Sequence, residues 1–174
     1  ELQRYGANTL ASLVRLGQGV TYREILVDVC DKLDVNYNQK STTETIELAL
    51  LMKVLEKSLD QMSPEELAAF SHNMHLDLTN PTPQLILIAV QAAIRTSSLA
   101  ALELATMLSA SVITSLGGIA TWGTVVVASR ALSVLAGPLA IALSSAWMIS
   151  DITGPAYRVT IPACIIVSWL RQQH

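Results

Sequence analysis

Charged residues thin out halfway along this chain, and that gradient limits what it can fold into. Residues 1–80 carry 19 of the 25 Asp, Glu, Lys and Arg side chains, whereas residues 81–174 carry only Arg95, Glu103, Arg130, Asp151, Arg158 and Arg171. Leu104–Ser129 and Ala131–Ser150 contain no charge. Either run reaches the roughly 20 residues a helix needs to cross a bilayer. A chain of this kind is a helical bundle with an unusually apolar centre, or a domain that moves that centre from water into lipid.

The length of 174 residues suits one domain with a real core. Only 14% of the residues are charged, against about 25% in an ordinary soluble domain. The net charge is −3 with no basic stretch, which argues against nucleic acid as a partner. The first 80 residues sum to −5 and the rest to +2. An acidic half over a mildly basic apolar half is expected to separate most readily at an anionic membrane or at low pH. Cys30 and Cys164 each sit in an apolar, helical context and read as small core residues; the sequence leaves their pairing open. Glu1–Gly6 contains no apolar signal-peptide core and the chain begins without Met, so the expectation is the C-terminal part of a longer protein.

Helical periodicity dominates the first half. Leu2, Tyr5, Leu10, Leu13 and Val14 mark a first helix over residues 2–16, ended by Gly17 and Gly19. Thr21 and Glu24 form a capping box for a second, whose apolar face is Ile25, Leu26, Val29, Cys30 and Leu33. After a polar loop over Asp34–Lys40, Ser41 with Glu44 predicts another capping box and a helix to about Gln61, with Ile46, Leu50, Leu51, Val54, Leu55 and Leu59 inward. Ser63-Pro64-Glu65-Glu66 is a strong start signal for a short helix ending near His75.

Leu76–Pro83 is the expected seam between an amphipathic half, residues 1–80, and an apolar half, residues 81–174, within one compact domain. Thr82-Pro83 opens a helix that is apolar nearly all round: Leu85, Ile86, Leu87, Ile88, Val90, Ala92, Ala93 and Ile94. Further helices are predicted over Leu99–Ser115, Ile119–Leu135, Leu139–Ser150 and Arg158–Arg171, with breaks at Gly117-Gly118, Gly137-Pro138 and Asp151–Pro155. No alternating strand pattern of any length is present, so the fold class is all-α: amphipathic outer helices around a central apolar hairpin.

Catalytic signatures are missing. There is no nucleophile elbow, phosphate loop or zinc-protease motif. His72, His75 and Asp77 are too few for a metal site. Neither an enzyme nor a cofactor, metal or small-molecule substrate is expected.

The stronger constellation is the hairpin turning at Gly117-Gly118. Ala101, Ala105 and Ser109, then Ala136, Ala140 and Ser144, place small residues at four-residue steps, which lets helix backbones approach closely in a bilayer or in a tight soluble core. Glu103 and Arg130 are the only charges on the arms and fall at similar depth. They either pair along an aqueous path or sit half exposed at the hairpin mouth. Trp122, Trp147, Trp169 and Tyr157 lie near the ends of apolar stretches, as at bilayer interfaces or in soluble cores.

Tyr22-Arg23-Glu24-Ile25-Leu26-Val27-Asp28-Val29 and Gly154-Pro155-Ala156-Tyr157-Arg158-Val159-Thr160-Ile161-Pro162-Ala163 resemble the YaaW-like family of uncharacterised bacterial proteins, which is grouped with ubiquinol–cytochrome c chaperone-type domains. The resemblance covers most of the chain in outline and implies binding rather than chemistry. It supplies no catalytic residues, and it fits the C-terminal portion of family members, which usually carry an extra N-terminal segment.

Three readings follow. The favoured one is a membrane-inserting, pore-forming-type domain of a bacterial toxin or effector, made soluble in the cytoplasm and acting at a bacterial membrane. Its membrane hairpin would be marked by Glu103, Gly117, Gly118, Trp122 and Arg130. Its partners would be a lipid bilayer and an immunity or client protein. The alternatives are a soluble chaperone or assembly factor holding an apolar client helix, and a structural or regulatory bundle.

Overall fold

A computed structural model of the chain describes residues 20–76, 78–115 and 157–172, which form six α-helices and no strand. They are α1 (Tyr22–Lys32), α2 (Thr43–Leu59), α3 (Pro64–Asn73), α4 (Pro83–Thr96), α5 (Ser98–Ser115) and α6 (Tyr157–Gln172). The all-α expectation holds for these residues. The predicted helices over 2–16, 119–135 and 139–150, and the turn at Gly117-Gly118, lie outside them.

Side-chain caps fix where the helices begin. Thr21 Oγ1 accepts from the Glu24 amide at 3.3 Å, and Glu24 Oε2 accepts from the Thr21 amide at 2.7 Å. Ser63 and Glu66 repeat the arrangement at 3.2 and 2.7 Å. Each box satisfies amides that the helix itself cannot. The start of α2 corrects the sequence reading. Its N-cap is Thr42, whose Oγ1 accepts from the Thr45 amide at 3.4 Å. Ser41 has another task. The Arg23 guanidinium donates to the carbonyls of Gln39 at 2.6 Å and Ser41 at 2.8 Å, holding the loop extended one residue further.

Two helices end in left-handed residues that are not glycine. Asp34 has φ 55° after α1, and His75 has φ 52° after α3. The Val35 amide returns to the Cys30 carbonyl and the Leu76 amide to that of Ser71, both at 2.9 Å. This is the Schellman closure, in which glycine costs least. The turn takes His75 out of the helix that carries His72.

One core crosses the predicted seam. The buried stripes of α1 (Ile25, Leu26, Val29, Cys30) and α2 (Ile46, Leu50, Leu51, Val54, Leu55, Leu59) meet Phe70 of α3, Ile86 and Val90 of α4, Leu104, Leu108 and Val112 of α5, and Ile161, Cys164 and Ile165 of α6. α6 packs against α5, α1 and α2; α2 also touches α4 and α5. The connection from α3 to α4 is packed as well, with Leu76 and Leu78 partly buried against this core.

Candidate functional site

The last helix is tied down along its length by polar contacts, and these make up the most organised chemistry among the described residues. At its start, Lys32 Nζ lies 5.4 Å from the centre of the Tyr157 ring, within cation–π range. In its middle, Ser109 Oγ donates to the Ile165 carbonyl at 3.3 Å, and Trp169 Nε1 donates to Thr106 Oγ1 at 3.0 Å. At its end, the Arg171 guanidinium bridges two carboxylates of α2, with Nη2 on Glu44 and Nε on Glu47.

Glu47 is the unusual member. Its side chain has 0% exposure, whereas those of Arg171 and Glu44 retain 42% and 58%. Arg171 Nε lies 3.1 Å from Oε1 and 3.3 Å from Oε2, with its hydrogen aligned on Oε2. Among the described residues, neither Oε1 nor the buried Tyr22 hydroxyl has an aligned hydrogen-bond partner. Burial raises the Glu47 carboxyl above its ordinary range, opposed by Tyr22 and Arg171. Glu47 in turn raises the Arg171 guanidinium. Glu47 lies three and four residues before Leu50 and Leu51, and so on the apolar stripe of α2. That spacing was the signal available in the sequence. Arg171 stands in the last turn of α6, whose negative end suits a cation, and it also reaches across to α2.

Both cysteines are free and buried. Burial pushes each thiol up to about 12, with Asp31 adding to the effect at Cys30, and Cys30 and Glu47 adding at Cys164. Such groups stay protonated at neutral pH and are poor nucleophiles. Burial likewise holds the Tyr22 phenol protonated. Among the described residues, no group of three or more His, Cys, Asp or Glu side chains is gathered as a metal ion would require.

The residues singled out for a membrane hairpin fare unequally. Glu103 lies on the exposed side of α5. Gly117, Gly118, Trp122 and Arg130 lie outside the described residues. Ala101, Ala105 and Ser109 are buried at 7%, 0% and 2% exposure. Trp169 is half buried between α5 and α6, not at the edge of an apolar belt. Ser109 and this tryptophan therefore serve the α5–α6 contact inside the folded domain.

Open surfaces among the described residues include two on α4. α4 buries only Ile86 and Val90, and leaves Leu85 at 46% and Ile88 at 62% exposure, with Leu99 at 66% just beyond. On its other side, α4 and α2 enclose a groove of about 670 Å³ whose apolar lining includes Leu48, Met52, Leu87 and Ile94. Among the described residues, no helix is long and apolar enough to cross a membrane.

Comparison with known proteins places the chain in a lineage. It is 43% identical over 174 residues to a UPF0174 protein of Helicobacter pylori strain J99, covering 98% of this chain and 68% of the relative. A second UPF0174 protein of that strain is 36% identical over 179 residues, at 99% and 85% coverage. The UPF0174 protein YaaW of Escherichia coli K12 is 28% identical over 172 residues, at 99% and 68% coverage. No family model matches the chain. No solved structure matches it either. The near full-length similarity bears out the resemblance carried by Tyr22–Val29 and Gly154–Ala163, and the chain belongs to the UPF0174 family, which includes YaaW.

Proposed function

We propose that this chain is a membrane-inserting domain. In water, α2, α4 and α6 pack against α5; at a bilayer the outer helices part, and the apolar hairpin beginning with α5 enters the lipid. The observation that carries the reading is the surface of α4, which holds Leu85 and Ile88 in water at the entrance to a sequence whose residues 104–150 contain one charge, Arg130. An apolar helix face left in solvent is the ordinary mark of a surface awaiting a partner. Burying apolar area is worth roughly 25 cal/mol per Å² in protein or in lipid, so two such states can lie close in free energy. The bilayer is the partner in this reading, and the finer expectation of a central hairpin about Gly117-Gly118 belongs to it.

Vesicle flotation and dye release with the purified chain test the proposal. Co-flotation with anionic vesicles and release of their contents are expected. A protein that stays in the bottom fraction, with dye retained at every lipid composition and pH, would overturn it.

The groove between α2 and α4 favours a second reading, a chaperone or assembly factor that receives an apolar client helix. A client should then co-purify with the chain, and Met52→Asp and Leu87→Asp should abolish its capture. Unchanged capture would count against this reading.

A further inference from the structure

Among the described residues, Glu47 is the only charged side chain that is buried, and its partner comes from the far end of the chain, 124 positions away. A buried ion pair is a weak source of stability, because removing two charges from water offsets their attraction. Well-packed apolar residues in the same place are often as stable or more so. The better-attested use of such a pair is to specify one arrangement or to switch between two. Here the pair joins α2 to α6, and α6 is the helix that covers Thr106 and Ser109 of α5. Other ties along α6 include a cation–π contact at Tyr157 and hydrogen bonds to Ser109 and Thr106 of α5. Pro162 inside α6 also removes one backbone hydrogen bond from that helix.

We infer that Arg171, bridging buried Glu47 and exposed Glu44, is a clasp that controls when α6 leaves α1 and α2, and that α5 is uncovered only after the clasp opens. Loss of Arg171 strands a carboxylate in an apolar interior, which favours the arrangement in which water can reach Glu47. Loss of Glu44 removes only the outer, hydrated half of the bridge. The clasp is a property of the folded chain in water; the purpose given to it rests on the membrane reading.

Hydrogen exchange of the intact chain, read by mass spectrometry on peptides covering α6 and α2, tests the clasp without lipid. Arg171→Gln is expected to raise exchange in α6 about a hundredfold, the scale of breaking a buried pair, while α2 keeps its protection. Glu44→Gln, an exposed change that leaves the fold in place, is expected to raise it about threefold. The double replacement Glu47→Leu with Arg171→Met should return α6 to wild-type protection or better and, with vesicles, slow dye release. Two results overturn the clasp: α6 exchange unchanged within twofold in both Arg171→Gln and Glu44→Gln, or α2 and α6 losing protection together in equal measure. Absence of dye release from wild-type protein would sink the membrane reading, while the exchange measurements would still decide the clasp.

Discussion

Helix α2 carries five charged residues and buries its whole apolar stripe; α4 carries one and leaves Leu85 and Ile88 in water. The contrast separates two quantities that composition runs together. A helix is buried when its neighbours cover its apolar residues. α2 packs against α1, α4, α5 and α6, so Ile46, Leu50, Leu51, Val54, Leu55 and Leu59 are all covered. α4 packs against α2 and α5, so one side is covered and Leu85 and Ile88 are left over. An apolar surplus of this kind is what a domain with a second solvent would carry.

The contrast breaks if the two helices respond alike to truncation. Leu50→Ala should cost about 3 kcal/mol, the ordinary cost of a cavity at a fully buried leucine, whereas Ile88→Ala should stay within about 0.5 kcal/mol. Urea denaturation of both variants decides it. Equal losses would mean that the outer face of α4 is covered in solution. A smaller effect belongs to the start of α3: Ser63→Ala removes one side of its capping box and should cost about 1 kcal/mol in the same assay. Smaller still, and of opposite sign, His75→Gly relieves a left-handed residue and should stabilise by a few tenths to about 1 kcal/mol. A loss on that substitution would show that the His75 side chain does more than close the helix.

Acid sharpens the comparison through charge. Burial raises the Glu47 and Asp28 carboxyls, with Asp31 and Glu24 adding to the effect at Asp28. The sign follows from proton linkage: a carboxyl raised in the folded state binds its proton more tightly there than in the unfolded chain. Its stabilising contribution is complete below the ordinary carboxylate range and is lost as pH rises through the folded value. Glu44 and Glu65 are lowered, chiefly by backbone hydrogen bonds, and act in the opposite sense at exposed positions. Glu47→Gln should therefore flatten the part of the stability profile that declines as pH climbs above about 4.5. Denaturant midpoints measured across that range in both proteins check it, and a variant profile parallel to wild type would contradict the assignment.

Amphipathic periodicity made α1 and α2 legible in the sequence, because residues such as Leu26, Val29, Leu51 and Leu55 recur at the helical step and all end up buried. The caps at Thr21, Ser63 and Thr82 were equally legible, since a cap is a local contact between residues three apart. Non-local pairing was hidden. Nothing near Glu47 announces Arg171, and nothing near Ser41 announces that Arg23 will take its carbonyl while Thr42 becomes the cap. The side of α4 that would remain exposed was hidden too, because an all-round apolar pattern does not say which side the fold will cover. Ala101, Ala105 and Ser109 are all buried, and Ser109 reaches the backbone of α6.

Trp122 provides the most direct test of whether the apolar half enters lipid. The chain has three tryptophans, so Trp147→Phe with Trp169→Phe leaves Trp122 as the single reporter within the charge-free run. In vesicles of lipid brominated deep in the acyl chains, its fluorescence should be strongly quenched, while adding those vesicles to denatured protein or supplying unbrominated lipid should not quench it. Fluorescence that is unchanged by brominated lipid, under conditions where the protein has bound the vesicles, would contradict insertion and confine the chain to the membrane surface.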